Sequence, residues 1–219
     1  MDAGLPRSVL IAGASGLVGR EILQGLLADD SVAAVHSLSR RELDVAHPKL
    51  TWHRVDFSRA LPALPSVGEA FVALGTTIKV AGSQEAFRAV DFDAVLAVAK
   101  AAQAAGATRL GVVSAMGADP RSKIFYNRVK GEMEAALSAL GFETLVIARP
   151  SLLAGNREAL GQPARRGEEI GVKVSRWLSP LIPGDYRPIE AKRVARALLR
   201  AVKTTQGHRV MLSGEMQQA

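Results

Sequence analysis

The sequence predicts an α/β fold in which helices cover both faces of a doubly wound parallel sheet. Short apolar runs of strand length alternate along the chain with longer segments of helical periodicity, which is typical of parallel strands joined by crossover helices. Glycines and prolines separate many of these segments, as expected where helices and strands end. With 219 residues and a hydrophobic share of 48%, the chain is long enough for one domain with a sizeable core. We therefore expect a single domain over residues 1–219.

The N-terminal elements form a strand–helix–strand unit. An apolar run predicts the first strand at Ser8–Ala12, and apolar residues spaced three and four apart predict a helix at Leu17–Ala28. A pair of aspartates ends this helix before a second apolar run, which predicts a strand at Val32–Leu38. A short third strand is expected at Leu50–Val55. The proline-containing stretch at 61–65 predicts a stiff connector, because proline interrupts the hydrogen bonding of a sheet.

The middle of the chain continues the alternation. A strand at Ala70–Leu74 ends at a glycine–threonine turn, and a long alanine-rich helix follows at Gln84–Ala105. This helix is expected to break near Val90 and to end at Gly106, since glycine is favoured at helix C-termini. The next strand is predicted at Leu110–Ser114.

The C-terminal third departs from this rhythm. A helix is predicted at Phe125–Leu140 and a strand at Thr144–Ala148. Residues 155–188 contain glycine, proline and several arginines with little periodicity, so we expect a small irregular C-terminal lobe there. A helix at Ile189–Lys203 and a strand at Arg209–Leu212 close the chain.

Composition excludes several classes of function. The chain has no cysteine, which excludes disulfides, thiolate catalysis and cysteine-ligated zinc. The four histidines lack metal-ligand spacing, so we expect no metal site. No window of about 18 apolar residues predicts a membrane span, and the N-terminus lacks the layout of a secretory signal. We therefore expect a cytoplasmic protein that does not contact membranes.

The net charge of +7 raises the question of a nucleic-acid partner. The basic residues are dispersed, and those of the predicted helix at 189–203 alternate with apolar residues, as on the solvated face of an amphipathic helix. Aromatic residues make up only 5% of the chain, so stacking platforms for bases are scarce. We expect no nucleic-acid partner, and part of the positive charge is available for an anionic cofactor.

A Gly-x-x-Gly-x-x-Gly turn joins the first strand to the first helix. Such a turn presents backbone N–H groups and a helix N-terminus to the pyrophosphate of a dinucleotide in a Rossmann-like fold. The first glycine permits the tight turn, the second lets the backbone approach the phosphates, and the third lets the helix pack closely on the sheet. An ordinary glycine-rich turn is the alternative. The predicted pyrophosphate site comprises Gly13, Ser15, Gly16, Leu17, Val18 and Gly19.

Two arginines at the end of the second strand favour NADP over NAD. In an NAD site a carboxylate at this position accepts hydrogen bonds from the ribose hydroxyls, whereas Arg40 and Arg41 can pair with a 2′-phosphate. We therefore expect NADPH or NADP as the preferred cofactor. Glu42 and Asp44 lie slightly beyond the expected position of the NAD carboxylate, so NAD stays possible. Two solvent-exposed arginines without a ligand are the alternative.

Two further segments lie at the C-terminal ends of predicted strands, where open α/β sheets bind ligands. Asp56 can accept a hydrogen bond from the adenine amino group, although it is also compatible with a plain turn. Gly75 lets the chain pass close to the adenosine. The predicted cofactor contacts in these segments are Asp56, Phe57, Leu74, Gly75, Thr76 and Thr77.

Tyr126 and Lys130 are predicted to form the centre of a catalytic site. Their spacing of four places both on one face of a helix, about 5–6 Å apart at Cβ. A neighbouring ammonium favours the phenolate form, so the tyrosine becomes able to exchange a proton with a carbonyl oxygen or an alcohol. Ser114, at the end of the preceding strand, is expected to hydrogen-bond the same oxygen. The alternative is a tyrosine at the rim of the core beside a solvated lysine.

Six segments, taken in order, carry a family resemblance: Ile11–Gly19, Ser39–Arg41, Leu74–Thr77, Val113–Ala118, Tyr126–Glu132 and Arg149-Pro150. They resemble the short-chain dehydrogenase/reductase superfamily, closest to the atypical, extended-type branch that includes the TIP30 (HTATIP2-like) proteins. The resemblance covers about Val9–Leu153 well and the remainder loosely.

The resemblance implies an NADPH-dependent reduction of a carbonyl group, or the reverse oxidation of an alcohol. It implies that Ser114 and Tyr126 bind the reacting oxygen, and that Lys130 holds the nicotinamide ribose and tunes the tyrosine. The residues implied to contact the nicotinamide amide are Pro150, Ser151 and Leu152.

One position departs from the pattern of related chains, which often carry asparagine where this chain has Asp91. A water relay at that position would then differ in its chemistry. The superfamily also contains members that bind NADPH and serve as regulators, so an NADPH-binding regulatory protein without turnover is the alternative function. The expected partner is a small carbonyl or alcohol bound near residues 155–188, and we expect a monomer or a homodimer.

Overall fold

The computed structural model describes residues 7–154 and 184–218, in which seven parallel strands form one sheet. In chain order these strands are β1 (Arg7–Ala12), β2 (Val32–Ser39), β3 (Leu50–Arg54), β4 (Glu69–Val72), β5 (Arg109–Val113), β6 (Thr144–Arg149) and, near the C-terminus, β9 (Gly207–Leu212). Two short strands, β7 (Leu153–Ala154) and β8 (Ile189–Glu190), pair with each other outside this sheet. The spatial order of the large sheet is β3-β2-β1-β4-β5-β6-β9.

Helices cover both faces of the sheet. They are α1 (Leu17–Leu27), α2 (Ile78–Ala81), α3 (Gln84–Arg88), α4 (Val95–Ala104), α5 (Phe125–Ser138), α6 (Ala191–Thr204) and α7 (Ser213–Met216). Helices α1 and α6 pack on one face, where their apolar stripes bury Ile22, Leu26 and Leu198. Helices α4 and α5 cover the other face through Val98 and Met133. Among the described helices, none combines the length and apolar character needed to cross a membrane.

The strand order reverses beside β1. From β1 the chain runs outward to β2 and β3, and it then crosses back to β4 on the other side of β1. The loops that follow β1 and β4 therefore diverge and leave a crevice at the C-terminal ends of the strands. Strand β1 itself is central, and its residues Val9 to Ala12 have no exposed surface.

The predicted fold class is confirmed, and most element boundaries differ by only one or two residues. Strand β4 ends at Val72 and β5 at Val113, so Leu74 and Ser114 lie in the loops that follow those strands. The expected break in the long helix is a π-helical segment, Ala89–Ala94, which separates α3 from α4. Of the predicted C-terminal lobe at 155–188, residues 155–183 lie outside the described residues.

Candidate cofactor and catalytic site

The glycine turn after β1 is shaped by contacts that leave no room for side chains. Gly13 has a φ of 90°, in the left-handed region, and a Cβ there would lie 2.5 Å from the backbone carbonyl of Ala73. A Cβ at Gly19 would lie 2.0 Å from the carbonyl oxygen of Gly13, because α1 packs directly on the turn. The fold itself therefore requires both glycines.

Gly16 lies in a different environment. A Cβ added there would come no closer than 3.4 Å to any described atom, the nearest being the carbonyl oxygen of Gly13, so internal packing does not demand glycine. Gly16 precedes α1, whose first turn has neither a side-chain cap nor an acidic residue. The first N–H groups of α1 thus lack acceptors within the helix, and a small residue beside them fits a phosphate group. Ser15 is exposed, whereas Val18 is buried and can offer only its backbone.

Arg40 and Arg41 follow β2 directly and are exposed. The hydroxyl of Ser39 donates a hydrogen bond to the carbonyl of Arg41 at 2.5 Å and accepts one from the indole N–H of Trp52 at 2.7 Å. The backbone of this segment is therefore fixed. Within the described part of the chain neither guanidinium has an ion-pair partner, so both are available to an anion.

Asp56 serves the loop after β3. It is exposed, and its Oδ1 accepts hydrogen bonds from the backbone N–H of Ser58 at 3.0 Å and from the Ser58 hydroxyl at 2.7 Å. These hydrogen bonds lower the pKa of Asp56, and the charges of Arg59 and Arg40 contribute further. Asp56 is thus a charged turn residue beside Arg40, while Phe57 packs against the core.

The loop after β4 is held by hydrogen bonds at both of its threonines. Leu74 packs against the core, and the backbone N–H of Thr76 donates to Oδ2 of Asp91 at 2.8 Å. The hydroxyl of Thr77 accepts from the N–H of Val80 at 3.1 Å and so caps α2. Thr77 therefore contributes to the start of a short helix, and Gly75 remains the exposed point of the loop.

Lys130 and Asp91 form a buried ion pair. The Nζ atom of Lys130 lies 2.7 Å from Oδ1 of Asp91, and the two side chains are 4% and 1% exposed. Oδ1 accepts no hydrogen bond from another described residue, so Lys130 is its partner in the structure. Sequence reasoning placed the Lys130 ammonium beside Tyr126 and named no counter-charge for it, and the structure supplies one from the π-helical segment.

Tyr126 is half-buried on α5, one helical turn before Lys130. Its ring packs against Phe87 of α3 with centroids 5.4 Å apart. The phenol is thus held by packing of its ring, and its hydroxyl has no hydrogen-bond partner among the described residues.

Ser114 does not share a hydrogen bond with Tyr126. Its hydroxyl donates to Oε1 of Glu134 at 2.5 Å, and this carboxylate also accepts from Nε and Nη2 of Arg149. Ser114 is 6% exposed. Hydrogen bonding to Glu134 raises the pKa of Arg149 above its ordinary value, although burial opposes this. The strand-end serine thus belongs to a buried network two helical turns beyond Tyr126 along α5, about 12 Å at 1.5 Å per residue.

The loop after β6 is fastened to the C-terminal part of the chain. The carbonyl of Pro150 accepts from the N–H of Met116 at 2.9 Å, and the hydroxyl of Ser151 donates to the carbonyl of Arg187 at 2.5 Å. The carbonyl of Leu152 accepts from the N–H of Ile189 at 3.0 Å. Residues 150–152 are therefore placed between the loop after β5 and the segment that leads into α6.

Sequence reasoning missed two acidic residues of the site. Asp91 was noticed only as a departure from asparagine, and Glu134 was not noticed at all. The available signal for Glu134 was its position four residues after Lys130, on the same helical face that carries Tyr126. A second signal was Arg149, a charged residue at the end of an otherwise apolar strand.

The sequence is similar to known proteins over most of its length. The sequence profile of the NAD(P)H-binding family matches residues 13–178. The mitochondrial protein fmp52 of Emericella nidulans is 39% identical over 160 residues, which covers 69% of this chain and 69% of that protein. Protein HTATIP2 of Rattus norvegicus is 35% identical over 173 residues, 76% of this chain and 69% of that protein.

A solved structure shows the same fold at lower sequence identity. MoeE5 in complex with UDP-glucuronic acid and NAD superposes with a TM-score of 0.70 at 21% identity, covering 94% of this chain and 76% of that chain.

The expectation of a cytoplasmic location is wrong. Several fungal proteins similar to this chain, from Emericella nidulans, Coccidioides immitis and Candida albicans, are named as mitochondrial. The cytoplasmic prediction rested on composition and on the lack of a secretory signal, and neither of these distinguishes the cytoplasm from a mitochondrion.

Proposed function

Because the chain belongs to the NAD(P)H-binding family and, with the HTATIP2 and FMP52 proteins, to the atypical short-chain dehydrogenase/reductases, we propose that it transfers hydride between NADPH and a small carbonyl or alcohol. The observation that supports this proposal best is the environment of the Tyr126 hydroxyl. This hydroxyl is unpaired among the described residues, and Tyr126 lies one helical turn from Lys130 on a helix beside the cofactor crevice. Under this proposal the cofactor site and the proton donor lie next to each other.

The selection of NADP over NAD is proposed from the segment after β2. Arg40 and Arg41 are exposed, unpaired in the described structure and held on a fixed backbone. A 2′-phosphate would convert both into charge-assisted pairs, whereas NAD offers them no matching group. The glycine turn and the start of α1 would hold the pyrophosphate, and the loops after β3, β4 and β6 would line the rest of the dinucleotide.

The reaction needs a proton donor as well as a hydride. The bound nicotinamide supplies or accepts the hydride. Tyr126 gives its proton to the carbonyl oxygen in reduction and recovers it in oxidation, and Lys130 provides a positive charge near that oxygen. Ser114 can assist only if its hydroxyl turns away from Glu134, because the proton is committed to that carboxylate in this structure.

The test is turnover by a single tyrosine variant. Purified protein is mixed with NADPH and a panel of aldehydes and ketones, and the loss of the reduced-nicotinamide absorbance is followed. We expect Tyr126→Phe to lower turnover by about 100-fold or more while NADPH binding stays intact. Tyr186→Phe is the matched control, because Tyr186 is 61% exposed and is the other tyrosine of the chain. Equal turnover by Tyr126→Phe and Tyr186→Phe would overturn the assignment.

A second function is favoured by two specific contacts. The proton of Ser114 is held by Glu134, and the charge of Lys130 is balanced by Asp91. Both groups that would assist Tyr126 are thus engaged within the protein, as suits an NADPH-binding regulatory protein without turnover. Tight binding of NADPH with no oxidation across a broad carbonyl panel would support this function over the enzymatic one.

A further inference from the structure

We propose that Asp91 is a positioning residue, which fixes the Lys130 ammonium and the backbone of Thr76 to each other through its two carboxylate oxygens. This inference rests on the proposed function, since it assigns a task within the same site. It makes the loop after β4 and the catalytic helix one rigid unit.

Two contacts on opposite sides of one carboxylate carry the inference. Oδ2 of Asp91 accepts from the backbone N–H of Thr76 at 2.8 Å, and Oδ1 lies 2.7 Å from Nζ of Lys130. A Cβ at Gly75 would come within 3.4 Å of Oδ1 and 3.9 Å of Nζ, so the pair lies directly under this exposed loop. Asp91 therefore connects β4, the π-helical segment and α5 at one point.

The local backbone explains how an acidic residue reaches this buried position. Asp91 is 1% exposed, while Asp93 on the same π-helical segment is exposed. A π-helical turn holds an extra residue, so it changes which side chain faces inward compared with an α-helix, and such turns are frequent at functional sites. Burying a carboxylate costs free energy unless the charge is paired. The pairing with Lys130 therefore accounts for the buried position of Asp91.

Other charges around α5 have their own partners. Glu132 pairs with Arg88 of α3, and Glu134 pairs with Arg149. In the part of the chain that the structure describes, Asp91 is the acidic group that balances Lys130. The Asp91 carboxylate thus sets the direction of the Lys130 side chain from the side of the loop after β4.

Two substitutions separate the two contacts. Asp91→Asn keeps an oxygen that can accept from Thr76 but removes the charge that balances Lys130, whereas Asp91→Ala removes both. Glu132→Gln is the matched control, because it removes one negative charge from α5 outside the site. Three quantities are measured for each protein: the dissociation constant for NADPH, kcat with a carbonyl substrate, and the acetylation rate of Lys130 by acetic anhydride relative to exposed Lys100.

We expect kcat to fall by about tenfold or more in both Asp91 variants. NADPH affinity should stay within about threefold in Asp91→Asn and weaken by about tenfold in Asp91→Ala, because only alanine frees the Thr76 loop. Acetylation of Lys130 should rise by about fivefold or more in both, since its amine is no longer held against the Asp91 carboxylate. Glu132→Gln should change each quantity by less than about twofold.

Unchanged acetylation of Lys130 in a folded Asp91→Asn protein would overturn the proposal, and so would equal NADPH affinities of the two Asp91 variants. If neither single variant folds, the NADPH affinities of the two Asp91 variants are compared with Lys130→Met added to each, because removal of both buried charges lessens the cost. The acetylation assay needs no turnover. A wild-type protein that oxidises no NADPH would therefore count against the enzymatic function while the acetylation result still decides the role of Asp91.

Discussion

The network of Ser114, Glu134 and Arg149 allows a quantitative prediction about stability. Replacing Arg149 with leucine leaves the Glu134 carboxylate, whose side chain is 7% exposed, with Ser114 as its hydrogen-bond donor. Loss of one partner from a buried ion pair costs about 3–5 kcal/mol in free energy of unfolding. Arg149 is more exposed, at 28%, so Glu134→Gln should cost less, about 1–3 kcal/mol, because water can solvate the remaining guanidinium.

A surface pair provides the control for this prediction. Arg209 and Glu215 are 47% and 43% exposed, so Arg209→Leu should cost about 0–1 kcal/mol. Urea unfolding at neutral pH measures the three variants against the wild-type protein. In a chain of this size the Arg149→Leu cost corresponds to a fall of about 6–20 °C in Tm.

A double variant distinguishes a stranded carboxylate from simple loss of packing. The penalty in free energy of unfolding caused by Arg149→Leu should shrink when Glu134→Gln is added, because the double variant has no buried charge without a partner. If Arg149→Leu costs no more than Arg209→Leu, or if adding Glu134→Gln does not lower its cost, the buried network is not the source of stability described above.

Two further predictions concern the glycine turn and a histidine pair. Gly19→Ala should lower the free energy of unfolding by about 1–3 kcal/mol and weaken NADPH binding, because the added Cβ meets the backbone of Gly13 at 2.0 Å. Gly68→Ala is the control for both measurements, because a Cβ at Gly68 meets nothing within 4 Å. Burial and the charge of His53 lower the pKa of His36, so the folded protein resists protonation there. The free energy of unfolding should therefore be highest above about pH 6.5 and should fall as the pH drops through the pKa of His36 in the folded protein. His36→Gln should reduce this fall when unfolding by urea is measured across that pH range. An identical fall in the variant would contradict the reasoning.

Local patterns were sufficient to predict the fold. The apolar runs predicted the strands because a parallel sheet covered on both faces buries the side chains of its central strands, as β1 shows at Val9 to Ala12. The glycine turn was recognisable for a similar reason. A side chain at position 13 would clash with Ala73, and one at position 19 would clash with the turn itself, so only glycine fits at both positions. This requirement shows in the sequence as the glycine pattern.

The pairing of charges could not be predicted in the same way. Asp91 belongs to a helical stretch in which a lone carboxylate is typical of a solvated face, and the π-helical segment that turns it inward has no recognised sequence signal. Ser114 and Glu134 are 20 residues apart, and their contact depends on how α5 packs against the end of β5. The partners of charged residues thus depend on tertiary packing between distant segments, whereas strands and glycine turns depend on residues that are close in sequence.

The most direct test of the proposed function is a calorimetric titration of the wild-type protein and of Arg40→Ala/Arg41→Ala with NADPH and with NADH. We predict that the wild-type protein binds NADPH about 10- to 100-fold more tightly than NADH, since charge-assisted hydrogen bonds to the 2′-phosphate contribute about 1.5–3 kcal/mol. The double variant should bind both nucleotides with similar affinity. Equal affinities in the wild-type protein, or no heat with either nucleotide on folded material, would contradict the proposed NADPH site.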